Sequence, residues 1–115
     1  MHLRSGARIV EIGCVPGTDA VALAVLVGPG GAVVGVHEDL RLVAAARQRA
    51  EASGAAMRVR HVQADLTKLP FEAGYFDAAF SHQYFQHVPN PAVVLAEMVR
   101  VTRHGGWLVV LDTDW

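Results

Sequence analysis

With 115 residues, a net charge of −1 and 52% apolar residues, the chain is long enough to bury roughly two thirds of its unfolded surface as one domain, residues 1–115. Its ten basic residues are scattered, so it has no clustered footprint for nucleic acid or an anionic membrane. The lone cysteine, Cys14, has no partner for an internal disulfide, and no secretory leader pattern opens the chain, so a cytoplasmic location is expected.

In chain order, Ala7 to Ile12 is a short β-branched run ending at Gly13, and Thr18 to Val27 reads as an apolar helix with Asp19 in its first turn. Ala32 to His37 is a second buried strand. Behind Asp39 as N-cap, Leu40, Val43, Ala44 and Ala50 recur at helical spacing, and Gly54 stops that helix. The uncharged run from Ala20 to Val36 is broken by Gly28-Pro29-Gly30-Gly31, which divides a helix from a strand and excludes a membrane span. Met57 to Val62 is a third strand, and a loop through Leu69-Pro70-Phe71 leads to a fourth at Phe76 to Ser81. Asn90-Pro91 opens a last helix with Val94, Leu95, Met98 and Val101 on its apolar side, Gly105-Gly106 is expected to end it, and Trp107 to Leu111 is a fifth strand.

Strands that alternate with helices and lack polar alternation belong to a parallel sheet covered on both faces, the doubly wound α/β class. Ligands of such sheets sit beyond the carboxyl ends of the strands, where successive crossovers go to opposite sides. The segments to examine are therefore Glu11 to Thr18, His37 to Asp39, Ala64 to Leu66 and Ser81 to His87.

Four segments, "VEIGCVPGT", "VVGVHEDLRLVAAAR", "VQADLTKLPFEAGYFDAAFSH" and "HVPNPAVVLAEMVRVTRHGGWLVVLD", resemble in order and register the Rossmann-like S-adenosylmethionine-dependent methyltransferases of the small-molecule type. The resemblance spans nearly the whole chain and implies a five-stranded sheet of order 3-2-1-4-5. It also implies the cofactor S-adenosylmethionine and methyl transfer to a small-molecule acceptor. By that likeness Gly13 and Gly17 let the backbone approach the amino-acid end of the cofactor, with Cys14 between them and Glu11 as anchor. His37 or Glu38 would meet the ribose and Asp65 the adenine amino group, with Leu66 beside the ring and Ser81 also among the cofactor-binding residues. Asp-Leu-Thr at 65–67 suits a turn equally well. Asp77, at the start of the fourth strand, reads as structural.

Three positions depart from the family pattern: Val15 replaces a loop glycine, His37 replaces the acid that grips the ribose hydroxyls, and His104 replaces a proline. A β-branched residue at positive φ and the loss of a charge-assisted pair together weaken the site by about 2.5–5 kcal/mol if independent. His82 is the catalytic candidate, as a base for the acceptor proton, with His87 as its competitor. Tyr84 and Phe85 read as lid or core aromatics.

A dinucleotide-binding G-x-G-x-x-G would need glycine at Val15 and Gly or Ala at Thr18, so that reading is poorer. No metal site is expected, because the six histidines form no i,i+4 pair. The rival to an enzyme core is a non-catalytic structural or interaction module that keeps the fold. In the family the fifth strand is flanked by a reversed hairpin beyond it. Here the resemblance ends after that strand, as in a trimmed or short relative, so an open edge at Gly106 to Asp112 and a homodimer across it are expected. Trp107 and Trp115 would lie near the contact.

Overall fold

The computed structural model describes residues 6–13, 28, 30–52, 54, 58–82 and 90–111. In chain order these form β1 (Arg8–Ile12), β2 (Ala32–His37), α1 (Leu40–Ala52), β3 (Val59–Gln63), β4 (Phe76–His82), α2 (Pro91–Val101) and β5 (Thr102–Leu111). The strands make one sheet of order β3-β2-β1-β4-β5, with every pairing parallel.

The apolar runs explain the central strands. β1 and β2 are buried at every position after the first, as expected for strands covered on both faces. β3 lies at one edge, with Val59 and His61 buried, Arg60 between them exposed, Val62 half-buried and the terminal Gln63 exposed. Alternate residues of β1 and β2 feed two separate cores. Ile9 and Val33 pack with Val59, Ala78 and Ala50 of α1. Val10, Ile12, Val34 and Val36 pack with Leu66, Phe76, Ala79 and the α2 residues Val94, Met98 and Val101. Because neighbouring residues of a strand point to opposite faces, the two helices cover opposite sides of the sheet.

Helix α1 starts as its sequence indicates: the Asp39 carboxylate accepts the Arg41 N–H at 2.8 Å. Its buried side is Val43, Ala46 and Ala50, while Leu40 and Ala44 are exposed, so the inner stripe follows 43, 46, 50. On α2, Leu95 is likewise exposed, and Val94, Met98 and Val101 face the core.

Helix α2 ends at Val101, four residues before the glycine pair expected to stop it. Thr102 turns extended there, with φ −92° and ψ 134°. Its hydroxyl donates to the Met98 carbonyl at 2.6 Å, satisfying an acceptor that the helix end leaves open. The next residue, Arg103, is held by Asp77, Nε to Oδ1 at 2.8 Å. Gly105-Gly106 instead lies in an irregular stretch of β5, where the register jumps from Phe76↔Thr102 to Ala78↔Trp107. A Cβ at Gly106 would stand 2.6 Å from the Asp77 carbonyl oxygen, so this glycine permits the close approach of β5 to β4. The third strand also differs from expectation, running two residues later at its start, from Val59.

Candidate functional site

β1 lies at the centre, paired to β2 on one side and to β4 on the other. The chain passes from β1 to β2, then from β3 back across to β4, and this reversal opens the crevice at the carboxyl ends of β1 and β4. Gly13, just past β1, has φ +66°, and its N–H donates to the Val36 carbonyl at 2.9 Å, tying the ends of β1 and β2. At the end of β3 the Ala64 N–H donates to the His37 carbonyl at 2.9 Å.

Glu11 is fully buried on β1. In register it stands between Gly35 of β2 and Phe80 of β4, and Gly35 in turn faces His61 of β3. His61, Gly35, Glu11 and Phe80 thus form one row across one face of the sheet. His37, two residues beyond Gly35, reaches sideways to this row: its Nε2 lies 3.2 Å from His61 Nδ1, with ring centroids 5.3 Å apart. Both rings are buried, at 1% and 2% exposure. Burial lowers the pKa of His37 from its ordinary 6.5. Burial first, then the neighbouring His37 and Arg47, lower that of His61 to about 4. Both imidazoles are therefore neutral at pH 7. Arg47 of α1 holds His61 by its backbone carbonyl, from Nη2 at 2.9 Å.

Asp65, just past β3, is exposed. Its Oδ1 accepts the Thr67 N–H at 2.8 Å and the Thr67 hydroxyl at 2.6 Å, and these bonds hold its carboxyl below the ordinary value. This is the Asx turn that Asp-Leu-Thr suits. Leu66 is 1% exposed and belongs to the core under α2, so its side chain packs inward. Glu38 is exposed, and its carbonyl accepts from Gln63 Nε2 at 3.0 Å. Ser81 is fully buried, and its Oγ has no hydrogen-bond partner among the described residues. His82 is the last residue of β4, in register with Leu111. The catalytic expectation for its side chain lies outside what the structure describes. So do Cys14, Val15, Gly17, the helix at 18–27, Tyr84, Phe85, His87 and Trp115.

Asp77 sits at the opposite, amino end of the sheet, where its carboxylate accepts the Arg8 N–H and the Arg103 Nε–H, each at 2.8 Å. It joins β1, β4 and the entry to β5, which is a structural role. His104 is exposed and accepts from Arg103 Nη1 through its carbonyl at 3.2 Å. A cavity of about 300 Å³ beside α1 and β3, lined by Arg47, Glu51, Arg60 and His61 among others, borders the outer edge of the sheet. Among the described residues no cluster of three or more His, Cys, Asp or Glu is placed to hold a metal ion. None of their helices is long and apolar enough to cross a membrane.

Residue-by-residue reading of the sequence missed Gly35 and His61. The available signal was the glycine itself: inside a buried strand it marks a close approach by another group.

The sequence pattern of the methyltransferase domain matches residues 10–110, from β1 into β5. The chain belongs to the methyltransferase domain family. It is 33% identical over 114 residues to a demethylmenaquinone methyltransferase of Geobacillus kaustophilus, covering 99% of this chain and 48% of that protein. It is 41% identical over all 115 residues to an uncharacterized 37.1 kDa protein of a Streptomyces fradiae transposon, covering 32% of it. Among solved structures it superposes with TM-score 0.88 on a candidate methyltransferase from Bacillus halodurans, at 28% identity, with 96% of this chain and 46% of that one covered. The [4+2]-cyclase SpnF gives 0.84 at 30% identity, covering 93% and 39%. The chain thus spans a third to a half of the length of these curated relatives. The methyltransferase family accounts for the doubly wound sheet and for its order β3-β2-β1-β4-β5.

Proposed function

We propose that this chain is the S-adenosylmethionine-binding core of a methyltransferase that acts on a small-molecule acceptor. The observation that carries the reading is the placement of Glu11 with Gly13, of His37, and of Asp65 at the carboxyl ends of β1, β2 and β3. These are neighbouring strands, and their ends are joined by the Gly13–Val36 and Ala64–His37 hydrogen bonds.

The donor set fits the cofactor. The left-handed Gly13 lets the backbone approach the amino-acid end closely, with buried Glu11 two residues before it; Cys14 and Gly17, next in sequence, belong to the same proposed contact. Asp65 offers an exposed carboxylate to an amino group of the adenine, with the backbone of Leu66 beside it. His37 Nδ1 is buried without a hydrogen-bond partner among the described residues, as a contact for a ribose hydroxyl, and Glu38 lies next to it. Ser81 closes the crevice from β4. When bound, the sulfonium supplies an electrophilic methyl group for in-line displacement by a nucleophilic atom of the acceptor. His82 takes the acceptor proton where that atom carries one.

Calorimetric titration with S-adenosylmethionine and S-adenosylhomocysteine tests the reading. Binding that Asp65→Ala weakens supports it, and absence of heat and of a thermal shift at millimolar ligand overturns it. Val15→Gly with His37→Asp is expected to tighten binding by at least about tenfold. Because a cyclase shares this fold, methyl transfer is measured separately, with radiolabelled donor and a panel of small acceptors.

The outer edge of β5 supports a second element of the reading, a homodimer. Among the described strands β5 is the outermost on that side, Trp107 and Leu108 are 42% and 39% exposed, and no charge interrupts Trp107 to Leu111. Light scattering is expected to report twice the 12.3 kDa chain mass, and a charge at Val109 is expected to disrupt the pair. A stable monomer overturns it.

A further inference from the structure

We propose that His61 is a positioning residue for the cofactor's ribose: through its Nδ1 it fixes the ring and the tautomer of His37, so that His37 Nδ1 meets a ribose oxygen as a neutral hydrogen-bond donor. This rests on the reading of the β2 end as the ribose subsite.

The two facing nitrogens, 3.2 Å apart, share one hydrogen, because a contact between two lone pairs or between two N–H groups is repulsive. Two neutral rings carry two hydrogens on four nitrogens. One lies in the shared bond, and the other sits on His37 Nδ1 or on His61 Nε2, both buried and without partners among the described residues. If His61 Nδ1 is the donor, His37 accepts at Nε2 and carries its own hydrogen on Nδ1, where a ribose oxygen can accept it. The leftover atom is then a bare lone pair on His61. Without ligand either arrangement leaves one buried N–H unreceived among the described residues; with a ribose oxygen at His37 Nδ1 the first satisfies it, whereas the opposite arrangement still leaves the His61 N–H unreceived, the costlier orphan. The pair therefore points a donor at the ligand, whereas a carboxylate in the same place points an acceptor.

The fold holds this arrangement from two sides. A Cβ at Gly35 would lie 2.4 Å from His61 Nδ1 and 2.8 Å from its Cε1, so the glycine is what lets the ring reach across β2 to His37. Arg47 of α1 fixes the His61 backbone carbonyl. The charged groups around the pair are Glu11 on β1, across Gly35 in register, Arg47 and Glu51 on α1, and Arg60 beside His61 on β3. Burial of both rings keeps them neutral at pH 7, which the shared single hydrogen requires.

Nitrogen-15 NMR of the histidine side chains tests the proposal in the whole chain, with and without S-adenosylhomocysteine. The expected result, with S-adenosylhomocysteine bound, is a proton on Nδ1 of both His37 and His61. His61→Phe keeps the ring volume and removes the nitrogen; it is expected to abolish the Nδ1–H preference of His37 and to weaken S-adenosylhomocysteine by about tenfold. His61→Gln, whose amide can donate to His37 Nε2, is expected to restore much of both, and the Phe variants of His37 and His61 together should lose little more than either alone. A proton found on His37 Nε2, or unchanged affinity in His61→Phe, overturns the proposal. Failure of the parent protein to bind S-adenosylhomocysteine overturns instead the cofactor reading, and with it the ribose contact, while the tautomers in the free protein still report on the coupling of the two rings.

Discussion

Glu97 and Arg100, one turn apart on α2, grip each other at 2.6 Å and jointly hold the loop before β4 by its backbone. Glu97 Oε1 accepts the Leu69 N–H at 2.8 Å. Arg100 donates to the Leu69 carbonyl at 3.0 Å and to the Phe71 carbonyl at 2.9 Å. That loop seats Leu69 in the core and Phe71 edge-on against Phe76, centroids 5.0 Å apart. Arg100→Ala strips both carbonyls of their donor and leaves Glu97 without its partner. A lower urea midpoint with an unchanged m value is expected.

The same clamp sets an acid limit. Arg100 first, and the Leu69 N–H after it, hold the Glu97 carboxyl below its ordinary 4.5. A depressed folded pKa contributes stability above the unfolded value and loses it as pH falls through the folded one. Glu97→Gln is therefore expected to flatten the fall in stability below pH 4.5, measured by urea unfolding across acid buffers.

The histidine pair acts in a higher window. Both folded pKa values lie below the ordinary 6.5, that of His61 at about 4, so between these limits the unfolded chain binds more protons than the folded one. Stability then rises with pH across that interval, is fully present above pH 6.5, and falls on acidification toward pH 4. Replacing His61 by Phe should remove part of this slope; an unaltered slope would place its origin elsewhere.

Gly35→Ala is expected to cost about 1–3 kcal/mol, because the added methyl meets the buried His61 ring and the strand leaves little room to adjust. Combining it with His61→Ala should return part of the loss, since the second change removes the obstacle. A double-mutant cycle by chemical denaturation reads the coupling directly.

Thr67→Ala removes one of two bonds that orient Asp65, its hydroxyl at 2.6 Å, while the Thr67 N–H remains. Cofactor affinity should fall less than in Asp65→Ala, and the Asp65 carboxyl should move back toward its ordinary value of 3.8. Calorimetry and NMR titration measure the two effects.

Much of the fold was legible because its causes are local. The β-branched runs at Ile9–Ile12 and Ala32–Val36, the Asp39 cap and the Asn90-Pro91 start each declare their structure within a few residues. The end of α2 was not legible, since Val99 and Val101 continue the apolar pattern, and the stop is marked by the local bond of Thr102 to the Met98 carbonyl and by the tertiary bond of Arg103 to Asp77. In the site, the strand-end positions followed from topology and resemblance. The His37–His61 contact did not, because it joins residues 24 apart on neighbouring strands and His61 alone reads as an ordinary polar residue of an edge strand.

The central position of β1 has a consequence for how the chain is made. It is the earliest of the described strands to be synthesised, yet one of its two edges is completed only by β4, where Asp77 takes the Arg8 N–H across 69 residues. Parallel pairing over such separations is slow, since the loop must close before the contacts reward it. During translation, at roughly 5–20 residues per second, the bare edge of β1 persists on the order of several seconds. A nascent chain halted before Phe76 would present the interior of its own sheet as a template for neighbouring chains, and what β4 then contributes first is protection from aggregation.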